Sequence, residues 1–261
     1  MVIEGNFDKV NTEVARWAAD TEREIKDLQN LEDYRRNFVG NISHELKTPI
    51  FAIQGYLHTL LDGGLYDEMI NKKYVEKAAN NADRLQNIVE DLEVIHQLEM
   101  GNVILVKGTF DIKLLTSEVF EDLNFIANKK NINLLFKEGA GGQTFVYADK
   151  DRIRQVMNNL IMNSIKYNDN DGSTYVSFYN LDDKILVEIS DNGIGIDEKH
   201  LNHLFDRFYR VDTSRSRDQG GSGLGLSIVK HIIESHGQNI NVRSSVGIGS
   251  TFGFTLQKGN Q

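Results

Sequence analysis

The sequence predicts two parts of different class: a long helical hairpin that pairs with a second copy into a four-helix bundle, followed by an α/β sandwich. Three observations carry this. Over residues 10–99 apolar positions recur in alternating steps of three and four, as in Val39, Ile42, Leu46, Pro49, Ile53, Tyr56 and Leu60, which makes a helix seam. Beyond Gly101 the texture changes to short apolar runs of strand length, interrupted by helical stretches. Tight turns such as 181–184 join consecutive strands, so one mixed sheet with helices on one face is expected.

Taken in order, residues 10–37 contain neither glycine nor proline and carry Val14, Trp17, Leu28 and Leu31 at apolar positions. A helix that begins so abruptly reads either as the continuation of an upstream segment or as an ordinary amino-terminal helix. The stretch LDGGLY at 61–66 interrupts the seam with two glycines, and a second helix is expected over 71–99 with Leu85, Ile88, Leu92 and Ile95 as its seam. Two antiparallel helices bury each other only partly, which is why the hairpin calls for a second copy. Strands are expected at 103–106, 132–136, 144–148, 174–179, 185–190, 239–243 and 250–256. Helices are expected at about 112–128, 150–167 and 225–235. The chain is accordingly divided into 1–36, a linker helix; 37–100, the hairpin; and 101–261, the α/β domain.

Composition narrows the function classes. The formal charge of -9 argues against an electrostatic nucleic-acid or acidic-membrane binder. Cysteine is absent, which removes disulfides, thiolate nucleophiles and thiolate metal sites. No run of about 18 apolar residues is present, so direct membrane contact is not expected of these residues.

Three pieces of the second part belong together chemically. In NLIMNSIKY (159–167), Asn159, Asn163 and Tyr167 fall four apart on one helix face, with Lys166 beside them. Amides can meet phosphate oxygens or coordinate a hard cation such as magnesium, and a lysine adds positive charge; a solvated polar face is the other reading. In DNGIGI (191–196), Asp191 at a strand end offers a carboxylate to an exocyclic amine, as adenine presents, and Gly193 and Gly195 permit close approach of a flat ligand or simply form a turn. In GGSGLGLSI, Gly221, Gly223, Leu224 and Gly225 precede a helix whose amino terminus favours phosphate. This is not a P-loop, because no lysine and serine or threonine pair closes it, and a parallel βαβ context for a dinucleotide fold is missing. Between the last two pieces, FDRFYRVDTSRSRDQGG (205–221) reads as a mobile lid anchored by Phe205, Phe208 and Tyr209, with Arg210 placed for phosphates or for a surface salt bridge.

The first part carries NISHELKTPI (41–50). His44 lies two residues beyond the seam position Ile42, about 200° around the helix, and so projects away from the buried side. An imidazole can attack through one nitrogen while the other stays protonated, and Glu45 is the adjacent carboxylate able to take or orient that proton. Thr48, four residues on, can position a water. Pro49, the only proline, removes an N–H that would bond the Glu45 carbonyl, and a bend or weakened turn below the pair is expected.

In combination, FVGNISHELKTPI, NLIMNSIKY, DNGIGI, FDRFY and GGSGLGLSI closely resemble, in order, the boxes of the cytoplasmic kinase core of bacterial two-component sensor histidine kinases. The resemblance covers about residues 35–257. It implies a dimerisation and phosphotransfer hairpin joined to an ATP-binding domain of the type shared with gyrase, Hsp90 and MutL proteins. It also implies phosphorylation of His44 with help from Glu45, magnesium at Asn163, and Asn159, Lys166, Tyr167 and the glycines of the third box about the triphosphate. Asp191 would read the adenine amine. ATP and Mg2+ are the implied cofactors, and a homodimer and a response-regulator receiver domain the implied partners. The Glu45–Thr48 spacing fits the family's phosphatase motif. The helix at the amino end resembles a signalling helix, so a membrane-anchored, inner-membrane sensor is expected upstream, with this part cytoplasmic. The alternatives are an ATP-driven conformational or chaperone-type protein without autophosphorylation, and a helical dimer scaffold with an inactive nucleotide domain.

Overall fold

The computed structural model describes residues 4–99, 105–137, 144–169, 171–211 and 222–259. The chain forms two compact units, residues 1–82 and 83–261, and the division falls inside the second long helix.

In the first unit, α1 (Glu4–Leu61) is one 58-residue helix that continues through Pro49, with no break between the expected linker and the hairpin. Its seam follows the three-four spacing: Pro49 and Leu60 are buried, and Ile42, Leu46, Ile53 and Tyr56 are half-buried. Val39, expected in the same seam, stays 62% exposed. The chain reverses through a 3-10 turn at Gly64–Tyr66. Asp67 then starts α2 (Asn71–Glu99): its side chain accepts from Met69 N at 2.9 Å and its carbonyl from Asn71 N at 2.9 Å. The two helices of this unit meet at Tyr56 and Tyr74, edge to face with ring centroids 5.4 Å apart, and Lys77 Nζ sits 5.5 Å from the Tyr56 ring centre.

The second unit takes the carboxyl-terminal part of α2, where Ile88 and Ile95 are buried. It continues with β1 (Lys107–Asp111), α3 (Ile112–Lys129), β2 (Asn133–Phe136), β3 (Phe145–Asp149), α4 (Lys150–Tyr167), β4 (Ser173–Leu181), β5 (Lys184–Asp191), the short α5 (Glu198–Leu201), α6 (Gly225–Ser235), β6 (Ile240–Ser245) and β7 (Gly249–Gln257). Five strands form a mixed sheet in the order β2-β4-β5-β7-β6, parallel only at β2-β4. One register row runs across all five, through Phe136, Val176, Ile189, Phe252 and Val242. Because side chains alternate faces with period two, this register puts the buried residues Val176, Phe178, Ile185, Val187, Ile189, Phe252, Phe254 and Leu256 on one side. Helices α3, α4 and α6 cover the sheet with faces at helical spacing, among them Leu115 and Val119, Ile153 and Met157, and Ile228 and Ile232.

Two expectations need correction. The apolar run 103–106 is no strand where it is described: 105 and 106 carry no regular structure, and the ladder begins at Lys107, opposite Asp149. Residues 103 and 104 lie outside the described residues. The strands also do not make one sheet. β1 and β3 form their own antiparallel pair, tied to the larger sheet through a bridge between Val146 and Lys258.

Candidate active site

The site is built where β5 runs out. Asp191, its last residue, accepts hydrogen bonds from Gly193 N at 3.0 Å and Ser250 N at 3.2 Å, both on Oδ1. Burial pushes its carboxyl up from the ordinary range, and the two N–H donors pull it back. Oδ2 has no protein partner among the described residues, so the strand end presents one carboxylate oxygen to a ligand donor. The loop beyond is strapped on both sides: Ile194 N donates to Tyr167 O at 3.3 Å, and Gly247 N donates to Ile194 O at 2.8 Å. The Ser244 hydroxyl accepts from Ile196 N at 2.8 Å and shares a 2.9 Å bond with Ser250 Oγ. A Cβ on Gly193 would stand 2.4 Å from Tyr167 O, and one on Gly195 2.0 Å from Ser245 O, so backbone packs against backbone here.

Gly249 packs against the same loop and was not singled out in the sequence. Its φ is +125°, and a Cβ would lie 2.0 Å from Asp191 O. Gly249→Ala should therefore cost about 2 kcal/mol of stability from backbone conformation alone, more with the clash, and weaken nucleotide binding through the displaced Asp191. Urea unfolding of the variant checks this; an unchanged midpoint would contradict the close packing. Ser244 and Ser250 were missed too; Gly249 adjoins only Ser250, and Ser244 has no glycine next to it.

Helix α4 forms the second side. Asp149 caps its amino end by accepting from Arg152 N at 3.1 Å, and Lys130 Nζ closes its carboxyl end on the Ile165 and Lys166 carbonyls at 3.1 and 2.8 Å. The apolar face packs on the sheet, which leaves Asn159, Asn163 and Lys166 half-buried and Tyr167 39% exposed. Asn159 Nδ2 donates to Gln155 O at 3.1 Å, whereas the Asn163 amide makes no hydrogen bond to another described residue. Lys166 is pushed down to about 8, first by burial and then by Arg210, Arg84 and Lys130. A positive field strong enough to disfavour one of its own charges suits a polyphosphate. Burial raises the Tyr167 phenol while nearby Arg210 lowers it, so Arg210 stands with this group as expected.

At the third side, Phe208 N donates to Gly223 O at 3.0 Å, with Phe208 itself at φ 61°. Tyr209 Oη lies 2.6 Å from His200 Nδ1, which anchors the start of the expected lid. Gly225 begins α6 against Asn159. Leu224 is fully buried and its N–H bonds Ser222 Oγ at 3.2 Å, so it anchors the turn and its side chain faces the core. Gly221 and the rest of the lid, 212–221, lie outside the described residues. Arg84 and Asp91 of α2 were also missed, because in this stretch only the apolar seam of Leu85 and Ile88 stands out from the sequence. Asp91 accepts from Ser222 Oγ at 2.8 Å.

In the other unit His44 is exposed, Glu45 half-buried and Thr48 exposed, with Thr48 Oγ1 donating to His44 O at 3.1 Å. The imidazole thus lies off the seam, as its spacing from Ile42 requires.

The donor set fits magnesium. The half-buried Asn163 amide, with no hydrogen bond to another described residue, offers one hard oxygen ligand to a cation held otherwise by phosphates and water. The oxygen of Asp191 left free by its two backbone donors suits a base carrying an amine.

Residues 34–101 match the His Kinase A (phospho-acceptor) domain, and residues 148–260 match the histidine kinase-, DNA gyrase B-, and HSP90-like ATPases. The chain belongs to the histidine kinases. The kinase is 33% identical to phosphate regulon sensor protein PhoR of Pseudomonas aeruginosa, over 88% of this chain and 52% of that one. It is 32% identical to sensor histidine kinase WalK of Bacillus subtilis, over 89% and 38%. It therefore spans about half the length of the curated relatives it matches. Among solved structures, histidine kinase ThkA in complex with response regulator protein TrrA aligns with a TM-score of 0.69 at 27% identity, over 85% of this chain and 61% of that one. Acinetobacter baumannii histidine kinase AdeS aligns at 0.65 and 26%, over 83% and 98%.

Proposed function

We propose that this kinase is an ATP-dependent protein-histidine autokinase that phosphorylates His44, passes the phosphoryl group to an aspartate of a response-regulator receiver domain, and also dephosphorylates that regulator. The observation that carries the reading is an exposed imidazole followed directly by a carboxylate, in one chain with a close-packed glycine loop that leaves one oxygen of Asp191 uncommitted.

In the transfer, one ring nitrogen of His44 forms a bond to the γ-phosphorus, the bond from that phosphorus to the β,γ-bridging oxygen breaks, and ADP leaves with the electron pair. Glu45 accepts or orients the proton on the other nitrogen. Asp191 accepts from the adenine amine. Asn159, Lys166, Tyr167, Arg210 and the turn of Gly223, Leu224 and Gly225 at the start of α6 hold the phosphates. Asn163 gives an amide oxygen to magnesium, which when bound balances phosphate charge.

Three further points complete the proposal. Val14, Trp17, Leu28 and Val39 are more than half exposed on α1 of a single copy, which supports a homodimer. Residues 1–36 act as a signalling helix, 37–100 as the dimerisation and phosphotransfer hairpin, and 101–261 as the catalytic domain. No helix among the described residues is long and apolar enough to cross a membrane, and matches to about half of proteins named sensors support a cytoplasmic part of a longer, membrane-anchored sensor.

The chain incubated with γ-labelled Mg-ATP should take up label that acid removes and base does not. A chain that binds ATP and stays unlabelled is no autokinase. For the phosphatase step, Thr48→Ala should slow removal of phosphate from the regulator by about tenfold or more while autophosphorylation changes less than about twofold. Equal losses would point to general damage of the helix.

A further inference from the structure

Helices α4 and α6 lie antiparallel, in close approach at one end and hydrogen-bonded at the other. At one end the missing Cβ of Gly225 makes room for α4: built there, it would stand 2.7 Å from Asn159 Oδ1. At the other end His236, the carboxyl-terminal cap of α6, reaches Asp149, the amino-terminal cap of α4. The spans match, since ten residues of α4 and eleven of α6 rise about 15 and 16 Å.

The His236 ring is 8% exposed and uses both nitrogens. Nδ1 lies 2.8 Å from Ile232 O, a carbonyl, so Nδ1 carries the proton and donates. Nε2 lies 3.0 Å from Asp149 N, whose hydrogen points to it, so Nε2 accepts. Only the neutral ring protonated on Nδ1 satisfies both partners. Asp149 is itself fully committed. Beyond donating its N–H to the ring, it accepts from Arg152 N on Oδ1 and, at 2.9 Å, from Val106 N on Oδ2.

We infer that His236 is a positioning residue for nucleotide binding: its ring sets how far α6 lies along α4, and so places the amino terminus of α6 opposite Asn159 and Asn163. The inference rests on the nucleotide reading above. The amino end of α6 carries the N–H groups and partial positive charge that phosphates meet, while Asn159 and Asn163 belong to α4. Packing of the apolar faces sets this register through side-chain ridges and grooves, which alternative fits one turn apart can also satisfy. A directional bond at the far end does not slide, and misplacement by about 1 Å suffices to cost about 100-fold at a reacting site. The ring is held below its ordinary pKa. Burial is the main cause and the facing Lys107 adds to it, against the Ile232 carbonyl and the Asp149 carboxylate.

Two variants and one spectrum test this on the 261-residue chain. His236→Leu keeps bulk and loses the acceptor, and should weaken Mg-ATP binding in calorimetry by about tenfold or more. His236→Gln offers an amide oxygen to Asp149 N and an N–H to the Ile232 carbonyl, and should recover affinity to within about threefold. In the wild type, 15N shifts should show Nδ1 protonated and Nε2 bare at pH 7. The inference is overturned by a folded Leu variant that binds as tightly as wild type, by equal losses in both variants, or by a ring that is charged or protonated on Nε2. If the Leu variant does not fold, a Gln variant more than about tenfold weaker overturns it, and a Gln variant near wild type with the expected ring shifts sustains it. A wild-type chain that does not bind Mg-ATP sinks the nucleotide reading first, and this one with it.

Discussion

His44→Gln should lower incorporation of label from γ-labelled ATP at least about 100-fold, leaving Mg-ATP affinity within about twofold of wild type. The amide has similar polarity and reach but no nitrogen lone pair able to attack phosphorus, so the covalent step has no acceptor. The exposed ring fills no part of the seam, and glutamine is a good helix former, so the helix should be undisturbed. The separation of the two readouts is what gives the experiment its force. His44 belongs to one compact unit and the proposed nucleotide site to the other, so losing the proposed acceptor should remove transfer without touching binding. Label retained at wild-type levels in the variant would place the acceptor elsewhere and end the case for His44.

Asp191→Asn should weaken ATP binding about 100-fold, since hydrogen bonds to a charged group contribute about 1.5–3 kcal/mol. The geometry makes the consequence sharper than a lost charge. Gly193 N and Ser250 N both donate to Oδ1, so an asparagine is held with its oxygen toward them and its NH2 toward the base. A donor then faces the adenine amine, also a donor. Guanine presents a carbonyl oxygen where adenine presents the amine, so the preference for ATP over GTP should narrow by more than about tenfold. Competition by the two nucleotides against a fluorescent analogue reads both effects. Unchanged ATP affinity would mean that Asp191 does not read the base, and equal losses for both nucleotides would mean that it only holds the loop.

Much of this was legible because it is local. Residues 150–167 and 225–235 show one apolar face at helical spacing, and the structure ends both helices where that spacing ends. Asn159, Asn163 and Lys166 stood out because polar groups on a helix packed against a sheet have no packing reason to be there. The position of His44 followed from its angle to Ile42 alone. The misreadings share one cause. Residues 105 and 106 end a run that is strand-like by composition, but a strand exists only where a partner offers a ladder, and β3 pairs with the chain from Lys107 onward. Likewise Gly249 looks like any turn residue until Asp191 O is found against it, 58 positions away in the chain.

From its order of residues alone, this kinase declared two architectures, an exposed imidazole beside a carboxylate, and the three boxes of a nucleotide site, because helical and strand periods and motif chemistry are properties of neighbours. Only the folded chain decided that one oxygen of Asp191 is already spent on two backbone donors. The same holds for Arg84, Lys130 and Arg210 pressing on Lys166, and for a histidine and a glycine together holding two helices in register. These are contacts between segments far apart in sequence. They depend on where packing brings the segments, and no local period encodes that.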